Sequence, residues 1–582
     1  MTAPEEAALP AGRRGRLAAL APETAFLAAT TAAGVAARGR WLNPIGDTGI
    51  WWSLLGRILR GEVLYRDIHL QYGPLSPYLL ALGARVFTPS ASYLILTGWI
   101  GAIACGLLLL AVARRAGLGM PARLAVAALM LPLSVLGPGV SPLVLAYAPA
   151  AVHALAFSLA AFVAADAPAS SRRPAVRAAA AGALAGLALC SKPEIGAAAF
   201  GAVAVQLLFA RGRIRRVLAA LAGFGAVSAA GLAFVLRASA DPVVWRRSRL
   251  WPLSTEVPAP WRELFRILMG VTSPDWALLV RGSAWTLLVI ALGVAVAGLL
   301  LGRERSVRGW VPAGVLAAAV LAWWLAEGWL LVGRFFPVSL SMLVSLAVAA
   351  WSAADARIPP RRRGLILGIS LFAAANGARA AFSTDLFGPY VKVSQFAAAL
   401  TWVLLAACVL PALLALSERV ARPMRAVAVA VVLAVAVIAA GRSLGNLSPP
   451  RIVAYATRAG TVWVGEGMKR FLEAAGTATR EGESVAILPE VNAVDVFFGL
   501  RDPSPWLTHV PGWLDADAER ELIRRFEASP PDAIVLFDRP TWLFRTAPFG
   551  VGYGRELSAW IAARYAPIVR APEGVVMRRR PV

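Results

Sequence analysis

The 582-residue chain is 58% hydrophobic, with a mean hydropathy of +0.65 and a formal net charge of +25. Soluble domains are roughly 45–50% apolar, so this composition excludes an ordinary soluble protein. The basic residues, all but three of them arginine, form short clusters between apolar runs. This pattern is typical of membrane-protein loops and predicts no nucleic-acid partner. The three histidines and three cysteines show neither metal-ligand spacing nor a disulfide framework.

Apolar runs of roughly 18–23 residues recur along the chain, the length that a helix needs to cross a bilayer. Because arginine clusters mark cytoplasmic loops, we place about 13 transmembrane helices in the inner (plasma) membrane, with the N-terminus cytoplasmic and the C-terminus outside. They are 17–38, 76–113, 120–138, 143–166, 176–190, 193–210, 217–237, 282–301, 310–332, 334–353, 364–382, 395–417 and 424–441. We interpret the first run as a retained helix rather than a signal peptide, because no small-residue cleavage site precedes Trp41.

Segment 76–113 is too long for one straight crossing, and Thr88-Pro89-Ser90 interrupts it. Two crossings would place Arg114 and Arg115 on the wrong side of the membrane. We therefore predict one crossing plus an external or interfacial turn. Asp166 ends a later helix on the cytoplasmic side, and we expect it to be exposed.

The threading predicts a transmembrane domain over 1–442, with external loops at 39–75 and 238–281, and a small extracytoplasmic α/β domain over 443–582. The tail has strand-like segments and segments of helical spacing, and Asp515 is a predicted N-cap. The strands are Ser484–Leu488 and Ala533–Phe537, and the helices are Ala516–Glu527 and Arg555–Tyr565. Since the cytoplasmic loops are short, function is expected on the outer face.

The first external loop concentrates polar, glycine and aromatic residues. It contains the stretches Asn43-Pro44-Ile45-Gly46-Asp47-Thr48-Gly49, Gly61-Glu62-Val63-Leu64-Tyr65-Arg66-Asp67 and Gln71-Tyr72-Gly73-Pro74-Leu75. Between the first two, apolar residues recur at three- and four-residue spacing from Trp51 to Leu59. That spacing predicts an amphipathic helix lying on the membrane surface.

In this order the motifs resemble the GT-C superfamily of polyprenyl-phosphate-sugar-dependent glycosyltransferases, in particular its protein mannosyltransferase and aminoarabinose transferase members. Gly333-Arg334-Phe335-Phe336-Pro337 is similar to the family's Arg-Tyr-x-x-Pro segment, and the predicted helix count and outward C-terminal domain match the family's layout. The resemblance implies a GT-C-like fold. It also implies a bacterial cell-envelope reaction that moves a sugar from a polyprenyl-phosphate carrier to a hydroxyl on a lipid, glycan or protein acceptor.

Such a transfer needs a base, or a charge that orients the hydroxyl, near the anomeric carbon. Asp47 is our first candidate, with helix capping as the alternative. Asp67 is a candidate second acid or metal ligand, or else it pairs with Arg66 or Arg57. Tyr72 lines the acceptor or sugar pocket, or anchors the loop at the membrane interface.

The leaving lipid phosphate needs cations or a metal. We predict this role for Arg334, Lys192 and Lys392, because they lie at the outer ends of predicted helices, where the positive-inside bias makes cations uncommon. The alternative is that each side chain extends to the lipid headgroups. Glu194 neutralises Lys192 in one interpretation. Glu327, an intramembrane carboxylate, faces the same cavity or pairs with Arg334.

Two departures from the family leave the donor sugar and any Mg²⁺ or Mn²⁺ requirement open. The region Ser141–Tyr147 lacks the family's second early acid, and Gln71-Tyr72-Gly73-Pro74 replaces the Lys-Pro-Pro of the aminoarabinose branch. A transporter or flippase for a lipid-linked or polar substrate is the main alternative function, although no internal repeat supports it. An O-antigen-ligase-like enzyme is a third reading, which the large C-terminal domain disfavours.

Overall fold

The computed structural model describes residues 20–135 (except 38, 41, 43 and 71), 149–166, 172–239, 338–380 (except 379), 389–413, 452–490 and 493–581 (except 542, 543 and 545), with single positions within 276–284 and 429–440. Structural statements below concern these residues. Among the predicted helices, 282–301 and 310–332 lie outside them, and 424–441 does so apart from single positions. The total of 13 therefore stays a prediction.

Within residues 20–413, the regular elements that the structure describes are all helices. The helices are α1 (Ala21–Ala37), α2 (Asp47–Leu59), α3 (Leu75–Ala84), α4 (Ala91–Arg115), α5 (Met120–Met130, continued by a π-turn Leu131–Val135), α6 (Pro149–Ala165), α7 (Pro174–Ser191), α8 (Pro193–Leu208), α9 (Arg213–Ala238), α10 (Val338–Ala354), α11 (Pro360–Ala378) and α12 (Pro389–Leu404, continued by a π-turn Leu405–Val409 and a turn Leu410–Leu413). By length and composition, α4, α7 and α9 can each cross a membrane, and other helices are apolar but shorter. The protein is therefore a helical membrane protein.

The membrane helices pack through small residues. A Cβ atom on Gly182 of α7 would lie 1.8 Å from the carbonyl oxygen of Ala220, and one on Gly223 of α9 would lie 2.1 Å from that of Ala179. The two backbones approach so closely that only glycine fits at these positions. Close approach through small residues is how helices associate in lipid, where apolar burial supplies little driving force.

The predicted interruption at Thr88-Pro89-Ser90 separates α3 from α4. Ser90 caps α4 by accepting a hydrogen bond from the Tyr93 N–H at 3.2 Å. With a rise of about 1.5 Å per residue, α3 extends only about 15 Å, whereas α4 extends about 37 Å. These lengths agree with one crossing plus a short outer helix.

The two ends of α4 meet different partners. At its start, the Ala91 N–H donates to the Ala459 carbonyl of the tail at 3.1 Å. At its end, Arg115 lies 3.9 Å from Asp166, which also accepts two hydrogen bonds from Arg361 at 2.6 and 2.7 Å. The expectation that Asp166 is exposed is therefore wrong, because three helix ends converge on it. The tail and these arginines lie at opposite ends of one membrane-length helix.

The tail forms an α/β unit with a two-stranded and a four-stranded sheet. Its elements are β1 (Ile452–Thr457), β2 (Gly460–Gly465), α13 (Glu466–Ala478), β3 (Val485–Leu488), α14 (Val494–Phe498), α15 (Ala516–Ala528), β4 (Ala533–Phe537), α16 (Arg555–Arg564), β5 (Tyr565–Ala571) and β6 (Gly574–Arg579). The larger sheet has the order β3-β4-β6-β5, with β3 and β4 parallel and the other pairs antiparallel.

The predicted strands and helices of the tail are confirmed, and so is the cap. Asp515 accepts a hydrogen bond from the Ala518 N–H at 2.8 Å. The hairpins β1–β2 and β5–β6 and the helix α13 are found only in the structure.

Helix α2 is present as predicted, but its predicted place on the membrane surface is wrong. Trp51, Trp52, Leu54 and Leu55 are each at most 3% exposed. They belong to one apolar cluster with α3, the start of α4 and the tail, and the Trp52 ring contacts Phe497 edge to face at 5.6 Å. Helix α2 is therefore enclosed between the membrane helices and the tail.

Candidate functional site

The carboxylate candidate Asp47 occupies the first position of α2. Gly46, with φ −144°, stands at the cap position before it and makes no side-chain cap bond. Asp47 is therefore a first-turn residue rather than the cap residue that the alternative required. The N–H groups of a first helical turn favour an ionised acid there. Its side chain lies outside the described structure, so its place is given by the backbone alone.

The loop after α2 closes on itself around Tyr65. The Tyr65 N–H donates to the Ile68 carbonyl at 2.8 Å, and its φ of +67° is a strained value for a bulky side chain. The Tyr65 hydroxyl is buried and donates to the Tyr72 carbonyl at 2.6 Å. Burial holds the pKa of Tyr65 well above its usual value, so the phenol remains a donor. This strained residue fixes the backbone of Tyr72.

Asp67 takes part in the same loop. It pairs with Arg66 at 2.8 Å and accepts a hydrogen bond from the Val63 N–H at 2.8 Å. The hydrogen bond from Arg66 lowers the pKa of Asp67, which keeps it ionised. Arg57 contacts the Asp67 backbone carbonyl at 3.2 Å and not its carboxylate. Pairing with Arg66 is the alternative that the sequence left open; the role of Asp67 as an acid or metal ligand stays a prediction.

The structure brings two of the predicted substrate-binding residues together. Gly73 donates to the Ser191 carbonyl at 3.3 Å, and a Cβ on Gly73 would lie 2.0 Å from the Cys190 carbonyl oxygen, so glycine alone permits this approach. The contact places the Tyr72 ring beneath Lys192, whose Nζ lies 4.8 Å from the ring centroid.

Lys192 lies in the extended junction between α7 and α8 and is 5% exposed. Its Nζ is 3.7 Å from Glu194, so the predicted neutralising contact is present. On the other side of Tyr72, the ring of Trp51 packs at 5.4 Å. Trp51 is four residues after Asp47 and shares its side of α2. The start of α2, Tyr72 and Lys192 therefore form one neighbourhood.

An aromatic cleft adjoins this neighbourhood. It is narrow, with a volume of about 30 Å³, room for a water molecule or two. One wall comes from the first loop and α2, and the other from the tail; the lining includes Trp51, His69, Tyr72, Trp506, Thr508 and Trp513. The His69 and Trp506 rings stack with their centroids 5.1 Å apart. The backbone N–H of His69 donates to the Pro505 carbonyl at 2.8 Å.

A wider groove is lined in part by the turn that precedes Asp47. Its volume is about 380 Å³, within the range of small-molecule sites. Pro44 and Ile45 form one wall, and Trp463, Met468 and Arg539 of the tail contribute to the other. The Arg40 guanidinium stacks over Trp463 at 4.8 Å, and Arg539 pairs with Glu490. On the side of the first loop and α2, the groove is lined by residues that precede Asp47 in the chain, and the cleft by residues that follow it.

The remaining candidates are not placed by the structure. Glu327 and Arg334 lie outside the described residues. Lys392 falls in the first turn of α12, but its side chain is not described. Within the described part of the chain, no group of three or more histidine, cysteine, aspartate or glutamate side chains is placed to hold a metal ion. The Mg²⁺ or Mn²⁺ requirement stays a prediction.

The sequence analysis does not single out His69, Trp506 and Trp513. Two tryptophans within one polar loop of the tail, at 506 and 513, were the available signal. Their connection to the first loop spans more than 400 residues and is visible only in the fold.

No family model matches the chain, and no curated protein matches it. Among solved structures, the oligosaccharyltransferase AglB from Archaeoglobus fulgidus, in complex with an inhibitory peptide and a dolichol-phosphate, is 13% identical; the match covers 88% of this chain and 69% of AglB, with a TM-score of 0.42. ArnT from Cupriavidus metallidurans, bound to undecaprenyl phosphate, is also 13% identical; the match covers 97% of this chain and 98% of ArnT, with a TM-score of 0.41. Both neighbours are GT-C members, the superfamily that the motifs resemble. At TM-scores below 0.5, the likeness does not by itself establish a common fold or function.

Proposed function

We propose that the chain is an integral membrane glycosyltransferase that moves a sugar from a polyprenyl-phosphate carrier to a hydroxyl acceptor on the extracytoplasmic face of the membrane. The observation that carries the proposal is the convergence of three elements at the outer end of the helices. These are the first turn of α2 with Asp47, the ring of Tyr72, and the buried ammonium of Lys192.

Each element meets a demand of the reaction. The acceptor oxygen forms a bond to the anomeric carbon as the bond from that carbon to the phosphate oxygen breaks. Asp47 takes the hydroxyl proton, and the leaving phosphate keeps the electron pair of the broken bond. Lys192 stabilises that developing charge from a site with little access to water, where a cation acts strongly. Glu194 offsets part of the lysine charge before the donor arrives.

The two cavities suit the two substrates. The donor sugar lies at the mouth of the aromatic cleft, beside Tyr72 and Lys192. The acceptor enters through the groove between Ile45 and Trp463, which opens between the first loop and the tail. Asp47 is proposed to serve both, because it lies in the chain between the first-loop residues that line the groove and those that line the cleft, and a base must reach the hydroxyl that attacks the donor. Arg334 and Lys392 are proposed as further phosphate ligands.

The outward orientation follows from charge. The arginine-rich ends of α4 and α11 converge at the end of the helix bundle that is remote from the tail. Positive loops favour the cytoplasm, so the tail and the first loop are proposed to be outside.

The test uses the full-length chain in lipid nanodiscs with a panel of radiolabelled polyprenyl-phosphate sugars, assayed with divalent metal and with chelator. We expect Asp47→Asn to reduce transfer by at least about 100-fold, the usual contribution of a general base. Lys192→Gln should reduce it by roughly 100- to 1000-fold, as for the loss of one charge-stabilising group.

The chain offers matched controls. Asp517 is an exposed acid in the first turn of α15, and Lys469 is a surface lysine that pairs with Glu473. Asp517→Asn and Lys469→Gln should keep full activity. Full activity in Asp47→Asn, with normal abundance, would remove that residue from the mechanism. Substrate movement across the bilayer without sugar transfer would favour the transporter.

A further inference from the structure

One face of α2 carries polar residues at helical spacing. Ser53, Arg57 and Arg60 stand four and then three residues apart, which places them on one side of the helix. All three contact the tail. The Ser53 hydroxyl donates to Asp495 at 2.8 Å, and Arg60 lies 3.8 Å from the same carboxylate.

Arg57 is the centre of this face. Its side chain is 3% exposed, and its guanidinium bonds at two points to the loop after α2 and at one point to the tail. It donates to the Ser504 carbonyl of the tail at 2.7 Å, to the Glu62 carboxylate at 2.7 Å and to the Asp67 carbonyl at 3.2 Å. One side chain therefore connects α2, the loop after it and the tail.

The opposite side of α2 is apolar and does not by itself fix the position of the helix. Its tryptophans and leucines would tolerate a small rotation or a shift along the helix axis. A buried guanidinium with directed bonds does not tolerate such a shift, because each lost bond leaves a buried polar group unpaired. The network therefore selects one placement of α2.

We propose that Arg57 is a positioning residue for sugar transfer. By fastening the carboxyl-terminal end of α2 to the tail, it sets where the first turn of the helix stands relative to Tyr72 and Lys192. This inference rests on the proposed function. It makes the tail part of the catalytic geometry, although Arg57 touches no substrate and lies ten residues from Asp47, about 15 Å along the helix.

The experiment compares Arg57→Gln and Arg57→Lys with the parent chain in nanodiscs. We expect Arg57→Gln to lower kcat by roughly 10- to 100-fold, the scale of a displacement of about 1 Å at the reacting atoms. The KM for the donor should change by less than about twofold, because Lys192 and Tyr72 are untouched. Arg57→Lys keeps the charge, but its ammonium cannot reproduce the planar set of hydrogen bonds that the guanidinium makes, so its kcat should be intermediate. Guanidinium ion added to an Arg57→Ala variant should restore part of the lost kcat.

A second measurement does not depend on activity. Hydrogen–deuterium exchange should become faster over residues 47–52 in Arg57→Gln, while the strands β3 and β4 exchange as in the parent chain. If Arg57→Gln does not fold, the double variant Ser53→Ala, Asp495→Asn loosens the same face and should show both effects at smaller size. The matched control is Arg458→Ala, an exposed arginine of the tail paired with Glu481, which should change neither readout.

Unchanged kcat and unchanged exchange in the Arg57 variants would overturn the inference. A lower melting temperature with parental kcat would do the same, because it would show a purely structural role. The proposed function fails separately, if Asp47→Asn keeps full transfer or if no polyprenyl-phosphate sugar is used. In that case the exchange measurement still decides whether Arg57 orders the start of α2.

Discussion

Two contacts between distant parts of the chain are built on opposite principles. Between α7 and α9, glycines let the backbones approach until no side chain fits. Between α2 and the tail the contact is polar: Ser53 and Arg60 approach the Asp495 carboxylate, and Arg57 donates to the Ser504 carbonyl. In lipid, close apolar packing is sufficient for association. Where the tail packs against α2, hydrogen bonds of fixed direction link the two.

Filling the close contact should have the largest effect on stability. In Gly182→Leu the added side chain would overlap the α9 backbone at Ala220, which has no flexible atoms to move aside. We expect a loss of at least about 3 kcal/mol in the free energy of unfolding and little folded protein. Yield and monodispersity after detergent extraction measure this. Gly201→Leu on α8 is the control, since nothing lies within 4 Å of its Cβ position. Equal yields for the two variants would contradict the close packing.

Breaking the polar contact should have a smaller effect. Asp495→Ala leaves the buried Ser53 hydroxyl without its acceptor and removes one of the two carboxylates near Arg60. We expect roughly 1–3 kcal/mol of destabilisation, the usual effect of one unsatisfied buried group. Thermal unfolding followed by tryptophan fluorescence reports it, with Glu481→Ala at the exposed Arg458 pair as the control. A melting curve identical to that of the parent chain would show that the contact does not hold the tail.

The stability of the polar contact between α2 and the tail should also depend on pH. The titrating group is Asp502 of the tail, two residues before Ser504. Burial raises the pKa of this carboxyl to about 8, whereas an unfolded aspartate titrates near pH 3.9. The folded chain therefore holds the extra proton between these values, and stability falls as pH rises, by at most about 1.4 kcal/mol per unit. His509 acts in the opposite sense, because burial lowers its pKa to about 4 from 6.5 and stability then rises with pH over that range. Below about pH 6.5 the effects of Asp502 and His509 on stability offset each other. From about pH 6.5 to 8 only the Asp502 effect remains of the two, and stability declines.

Asp502→Asn should reduce that decline, because the amide keeps the shape and has no proton to lose; burial also raises the pKa of Asp495, so part of the decline should remain. Melting temperatures at pH 6.5, 7.25 and 8 test it, with Asp517→Asn expected to retain the parental slope. A variant that declines as steeply as the parent would assign the pH dependence to another group.

The smallest effect is expected at Asp67. It is partly exposed, its partner Arg66 is at the surface, and an asparagine can still accept the hydrogen bond from Val63. We expect Asp67→Asn to change the melting temperature by no more than about 2 °C. The transfer assay then separates its two interpretations, because a large loss of activity without a loss of stability would make Asp67 a catalytic or metal-binding residue.

The sequence predicted those parts of the fold that local pattern determines. Within the described residues, hydrophobic length located the apolar helices, the break before Ser90 followed from Pro89, and short apolar runs of strand-favouring residues located β3 and β4. The spacing of apolar residues predicted helix α2 but placed it wrongly on the membrane surface. An apolar helical face does not reveal whether lipid or another domain covers it.

In the candidate site, the structure places Tyr72 next to Lys192, and the roles of both stay predictions. Asp47 was identified by its residue type and its place in the motif, and its role stays a prediction. The roles of Arg57 and His69 were beyond sequence reasoning. Their partners Ser504 and Trp506 are more than 400 residues away, and no local signal records such a pairing.

The bond between Ser53 and Asp495 joins positions separated by 442 residues. During synthesis, every intervening segment must be inserted before that bond can form, and chains emerge at about 5–20 residues per second. The tryptophans of the first loop therefore remain uncovered for tens of seconds, until the tail has been synthesised. A chain truncated before the tail would leave the apolar face of α2 without the Phe497 contact that covers Trp52.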